Sequence, residues 1–142
     1  ADAKKADMFE GIEAEDFSAK DLDGQVVNLS DHIGEDPVLL VFFATWCPPC
    51  RHEVPDLIKI NNEYKDQGLQ VIATSLDNSP RVLPGFIKKN GIDYTVWHDA
   101  DRQGAQAYQV EGIPTNILID SEGIIQFRAH HPPRKDDIEQ LL

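Results

Sequence analysis

The 142 residues predict one α/β domain: a central mixed sheet flanked by helices, with an added N-terminal β-hairpin. Three observations carry this. Residues 38–43, Val-Leu-Leu-Val-Phe-Phe, form a continuous apolar run rich in branched and aromatic side chains, as a strand covered on both faces requires. Apolar residues at helical spacing follow, and strand and helix patterns then alternate. Towards the C-terminus two apolar segments flank Asp120-Ser121-Glu122-Gly123, which closes the sheet antiparallel.

Residues 1–7 are polar, and residues 1–16 are expected to be a flexible leader within a single domain spanning 1–142. Residues 17–30 predict the hairpin, with Phe17 and Leu22 before a turn at Asp23-Gly24 and Val26-Val27-Asn28-Leu29 after it. Asp36-Pro37 opens the central strand. Beyond Cys47, Val54, Leu57, Ile58, Ile60 and Tyr64 fall on one broad helix side, and Gly68 stops it. Residues 69–73 are a second buried strand. Residues 82–89 form a helix with Pro84 near its start and Asn90-Gly91 at its end. A short helix follows at residues 103–108, then strands at 116–119 and 124–127, then a final helix marked by Ile138, Leu141 and Leu142.

The formal net charge of −12 repels phosphate backbones and anionic lipid, so nucleic-acid and membrane-surface binding are disfavoured. The longest apolar run, residues 38–44, is far short of the roughly 20 residues a membrane helix needs. The opening residues lack both Met and an apolar signal core, which fits a targeting or anchoring segment removed upstream. Only two cysteines occur, three positions apart. They are no framework for a disulfide-stapled domain, so their purpose is local.

Cys47-Pro48-Pro49-Cys50 lies where the buried strand runs into the first long helix. That junction puts the first sulfur at a helix N-terminus, where unpaired N–H groups and the dipole favour a thiolate, so Cys47 is the predicted nucleophile. Cys50, about one turn on, is within reach to close a disulfide or to resolve a mixed one. Pro48 and Pro49 bring no N–H, leaving Cys50 and later amides as donors; the expected acidity is mild, and the expected role reductant or exchanger. Half a zinc knuckle is the competing reading of the spacing. A second pair is missing, the five histidines are scattered, and the strand-to-helix setting does not suit a knuckle. Haem attachment needs His after the second Cys, where Arg51 stands. No metal and no cofactor beyond a redox-active Cys47–Cys50 disulfide is expected.

The run Phe43-Ala44-Thr45-Trp46-Cys47-Pro48-Pro49-Cys50-Arg51, with Glu53 and Pro55 after it, resembles the thioredoxin superfamily, in particular its TlpA/ResA-like thiol-disulfide oxidoreductases. Asp23-Gly24, Leu29-Ser30-Asp31, Asp99-Ala100-Asp101-Arg102 and Gly112-Ile113-Pro114-Thr115 agree in order, extending the resemblance over roughly residues 17–128. The resemblance implies a thioredoxin fold and a cis bond at Pro114. It also implies Ile113 offering backbone groups to an extended substrate, and a kink at Pro55. Trp46, Pro48 and Pro49 would rim the substrate site with Ile113 and Pro114. One departure stands out: thioredoxins proper carry a buried Asp six residues before the first Cys, and here that residue is Val41. Another acid must accept the Cys50 proton. The resemblance implies an acid after the second core strand near the active site, which makes Asp77, an Asp where a Glu aligns, the first candidate; Glu53, three residues from Cys50 on the same helix, is the second. His52 is read as a surface residue.

The implied activity is reduction or exchange of protein disulfides by a monomer outside the cytoplasm, periplasmic or anchored through a removed N-terminal segment. Cytochrome c maturation is the implied setting, and an upstream membrane electron donor an implied partner. Two alternatives compete. A peroxiredoxin-like peroxidase would need Pro-x-x-x-Thr-x-x-Cys, whereas Thr45 stands two positions before Cys47. A copper(I)-binding or delivery protein would use both thiolates and a histidine of His130-His131, a pair read more simply as an exposed loop before Pro132-Pro133.

Overall fold

The structure is a computed structural model that describes residues 9–142. Seven strands form one sheet: β1 (Ser18–Lys20), β2 (Val26–Asn28), β3 (Val38–Phe43), β4 (Gln70–Ser75), β5 (Thr95–His98), β6 (Thr115–Ile119) and β7 (Ile125–Ala129). Their spatial order is β2-β1-β5-β4-β3-β6-β7. β3, β4 and β5 run parallel, while β6, β7 and the hairpin β1–β2 pair antiparallel. Four helices accompany them: α1 (Pro48–Tyr64), α2 (Leu83–Asn90), α3 (Gln103–Ala107) and α4 (Lys135–Glu139). Among the described residues no helix is long and apolar enough to cross a membrane.

Strand alternation divides the core into two. Leu39, Val41 and Phe43 of β3 face a cluster that includes both cysteines, Leu57 of α1, Leu83 of α2 and Ile138 of α4. Val38, Leu40 and Phe42 face the other way, among Phe9, Phe17, Trp97 and Tyr108. Every residue of β3 is buried, as its unbroken apolar run predicts. On the second face Phe17 meets Tyr108 edge-on at 6.0 Å and Trp97 at 6.4 Å. α3 approaches closely through Gly104, where a Cβ would stand 2.8 Å from the Phe17 ring and 3.0 Å from Phe42. On the first face Tyr64 donates to Glu139 at 2.8 Å and Lys135 pairs with Glu63 at 3.0 Å, docking α4 on α1.

Two differences from the sequence reading are informative. β5 was not predicted: its four residues, Thr-Val-Trp-His, are too few to establish a period, and pairing with β4 makes them a strand. The leader is not loose where it is described. Phe9 is buried under the Arg128 guanidinium, 4.2 Å from its ring centre. Gly11 N–H donates to Ile125 at 2.7 Å, Ala14 N–H to Gly123 at 2.8 Å, and Tyr108 Oη to the Glu15 carbonyl at 2.7 Å. Residues 1–8 of the expected leader lie outside the described residues.

Candidate active site

The chain leaves β3 at Phe43, turns through Ala44-Thr45-Trp46 and enters α1 with Cys47 as N-cap, in extended conformation (φ −89°, ψ 112°). Pro48 and Pro49 occupy the first helical positions, where a missing N–H costs nothing and a fixed φ suits the helix. The first amide free to point back is that of Cys50, which donates to Cys47 Sγ at 3.3 Å. Both cysteines are free thiols, 4% and 2% exposed. Around them Trp46 stands 67% exposed and Pro48 and Pro49 face solvent, so a buried sulfur lies beneath an open rim. Arg51 Nη1 fastens the rim by donating to the Thr45 carbonyl at 3.2 Å.

Opposite the sulfur, the Ile113–Pro114 bond is cis. Cys47 Sγ donates to the Ile113 carbonyl at 3.8 Å. Thr115 Oγ1 ties the loop to the Gly112 carbonyl at 2.6 Å, and His130 Nδ1–H reaches the Pro114 carbonyl at 2.9 Å. A cavity of about 280 Å³ opens beside this loop, walled by Trp46, Leu76, Arg102, Val110 and Ile113.

The two candidate carboxyl groups are both buried, and their surroundings differ. Asp77 is turned towards the turn before Cys47. Its oxygens accept from Thr45 N–H at 3.0 and 3.2 Å, from Thr45 Oγ1 at 2.7 Å and from Ser75 Oγ at 2.6 Å. Its own N–H donates to Ser75 Oγ, and its carbonyl accepts from His98 Nε2 at 2.7 Å. With its lone pairs occupied, Asp77 is built to brace the Thr45 turn. Glu53 is the carboxyl whose charge acts on Cys50. One turn on from Cys50, it is 6% exposed, and only the side-chain amide of Asn116 bonds it among the hydrogen bonds found, at 3.3 and 3.2 Å. Burial pushes its carboxyl up to about 7; the Asn116 hydrogen bond opposes this and Asp56 adds to it. Burial foremost, then the hydrogen bond and charge of Cys47 and the charge of Glu53, push the Cys50 thiol well above its ordinary range.

Val41 is 1% exposed and pairs with Asn116 across the β3–β6 ladder. The strand position lacking an acid thus lies beside the amide that receives an acid from the helix. Pro55 is exposed within α1, and His52 is exposed. His131 bonds the Pro132 carbonyl and stacks edge-on against Phe127. Asn116 and His98 were not singled out from sequence, where Thr45 entered only through its spacing from Cys47. Asn116 left a trace there, as the one amide in the apolar run of β6, and His98 lay in a strand too short to see.

The chain matches the model of the AhpC/TSA family over residues 11–128. It is 36% identical over 121 residues to the thiol-disulfide oxidoreductase ResA of Bacillus subtilis, covering 85% of this chain and 67% of that protein. It is also 36% identical over 143 residues to the thioredoxin-like protein YneN of the same organism, covering 98% and 82%. Among solved structures, the thioredoxin domain of a thiol-disulfide oxidoreductase from Bacteroides vulgatus superposes with a TM-score of 0.78 at 29% identity, over 92% of this chain and 93% of that one. The peroxidase alternative is not supported: Thr45 is one residue too near Cys47 for that pattern and donates its hydroxyl to Asp77. Sequence, sheet order and cysteine-capped helix agree: this chain belongs to the AhpC/TSA family and, within it, to the ResA-like thiol-disulfide oxidoreductases of thioredoxin fold.

Proposed function

We propose that the chain reduces or exchanges disulfides of extended protein segments outside the cytoplasm, with Cys47 attacking, Cys50 resolving and Glu53 taking the Cys50 proton. The observation that carries this reading is the alignment of three groups on one helix start. Cys47 Sγ accepts the Cys50 amide, Cys50 lies buried one turn in, and the Glu53 carboxyl follows one turn later, buried and near neutrality. The Cys47 thiolate attacks one sulfur of a partner disulfide; that S–S bond breaks, one partner thiolate leaves, and a mixed disulfide forms on Cys47. Cys50 passes its proton to the Glu53 carboxylate and attacks Cys47 Sγ, and the second partner sulfur leaves. The partner gains two electrons and the Cys47–Cys50 pair loses them. Glu53 then gives its proton to the leaving thiolate or to water.

The half-buried Ile113, beside the cis bond and facing Cys47, supports docking of the substrate as an added extended strand. Trp46, Pro48 and Pro49 complete the exposed rim against which it lies, while Pro114, expected there too, is buried next to Ile113. The TlpA/ResA-like resemblance supports cytochrome c maturation as the setting. The reduced pair would then act on oxidised haem-attachment cysteines, with electrons arriving from a membrane donor. A Cys50→Ser variant tests both parts. It is expected to accumulate partners joined covalently to Cys47 and released by thiol, with apocytochrome c among them. Absence of any covalent adduct overturns the exchange reading. Adducts without apocytochrome leave exchange standing and remove the setting.

A further inference from the structure

Asn116, the second residue of β6, is fully buried between Thr115 and Ile117, and its side chain rises from the sheet towards Glu53 of α1. A buried amide among apolar strand residues is costly unless both its ends are bonded. Here only one end is: Nδ2 donates to both Glu53 oxygens, whereas Oδ1 is enclosed and has no hydrogen-bond partner. The unmatched oxygen has a chemical counterpart on the same neighbour. A carboxylate offers only acceptors, and Nδ2 suits it. A carboxylic acid adds one O–H donor, which needs an acceptor such as Oδ1. An acid and an amide facing each other can form two hydrogen bonds, O–H to amide oxygen and amide N–H to acid carbonyl, after a rotation within the side chains alone.

We propose that Asn116 is a positioning residue whose amide serves the two forms of Glu53 in turn, donating to the carboxylate and accepting from the acid. Glu53 therefore stays against Cys50 both before and after it takes the thiol proton. A lysine or arginine at this place would hold Glu53 ionised, and an apolar residue would leave the carboxylate unbonded; the neutral amide does neither. The other ionisable groups bearing on Glu53 are Cys50 and Asp56 of α1 and Tyr94 ahead of β5, with Asp93 beside Tyr94 held by Asn61. The inference rests on Glu53 being the acceptor for Cys50.

The aromatic disulfide 5,5′-dithiobis(2-nitrobenzoate) is a suitable probe, because the dithiol releases two coloured thiolates in sequence. Cys47 expels the first; Cys50 loses its proton to Glu53, attacks Cys47 Sγ and expels the second, leaving the protein disulfide. The second phase, followed by stopped flow from pH 5 to 9, is expected to quicken through a midpoint near 7, as the carboxylate form appears. In Asn116→Leu the carboxylate loses its donor. The midpoint is expected to rise by about one pH unit, slowing the phase about tenfold on the acid side. Asn116→Asp keeps the shape and serves if the leucine form does not fold; an adjacent carboxyl is expected to raise the midpoint further. The carboxyl ¹³C shift of Glu53, titrated in parallel, should move with the rate. Midpoint and shift both unmoved in a folded variant overturn the role of Asn116. A pH limb that survives in Glu53→Gln overturns the reading of Glu53 itself, whatever the Asn116 variants do.

Discussion

Asp77 and Glu53 are equally buried, each 6% exposed, yet their surroundings differ, and the proposed mechanism gives them opposite work. Asp77 collects the Thr45 amide, the Thr45 hydroxyl and the Ser75 hydroxyl, while its own backbone is bonded at both ends. Glu53 has the Asn116 amide, so burial dominates and its proton is held to about 7. Exposure alone therefore says little about what a buried acid does. The number of donors aimed at it separates a brace from a proton carrier.

Removing the brace should have the largest effect. Asp77→Ala strands three donors in a closed site and frees the turn that carries Trp46 and Cys47. A loss of about 3–5 kcal/mol in urea unfolding is expected. Unchanged stability together with a lost pH limb would exchange the two roles. Next comes the carrier. Folding raises the Glu53 carboxyl from 4.5 to about 7, so the folded chain binds more protons in that window and loses stability as pH rises through it. At 1.36 kcal/mol per pH unit this amounts to about 3 kcal/mol, and the fall should be missing from Glu53→Gln when unfolding is compared at pH 4.5 and 7.5. The smallest effect isolates one strut of the brace: Thr45→Val deletes the 2.7 Å hydroxyl bond to Asp77 while keeping shape, and should cost about 1 kcal/mol.

The contrast also marks what can be read before a structure. β3 announces itself by six apolar residues in a row, and α1 by its spacing and its cysteine start, because each follows from one local pattern. That Glu53 shares a helix face with Cys50 follows from spacing too. Its burial does not, since it depends on β6 passing under that face with Asn116 at the right register. Asp77 is the mirror case: its position after β4 suggests a part in the chemistry, and only the folded turn reveals Thr45 and Ser75 filling its oxygens. Phe9 and β5 escaped notice for a related reason. One is a lone aromatic, the other four residues, and both owe their place to distant partners.

Val41 in the central strand, with the proposed proton acceptor on α1 instead, has a mechanical consequence. Sulfur, sulfur and carboxyl lie within seven consecutive residues of one cap and helix, a self-contained cassette. Any displacement of that helix relative to the sheet would carry the three groups together and preserve their mutual spacing. The strands beneath are then free to vary in packing, so long as one amide keeps step with the cassette above it.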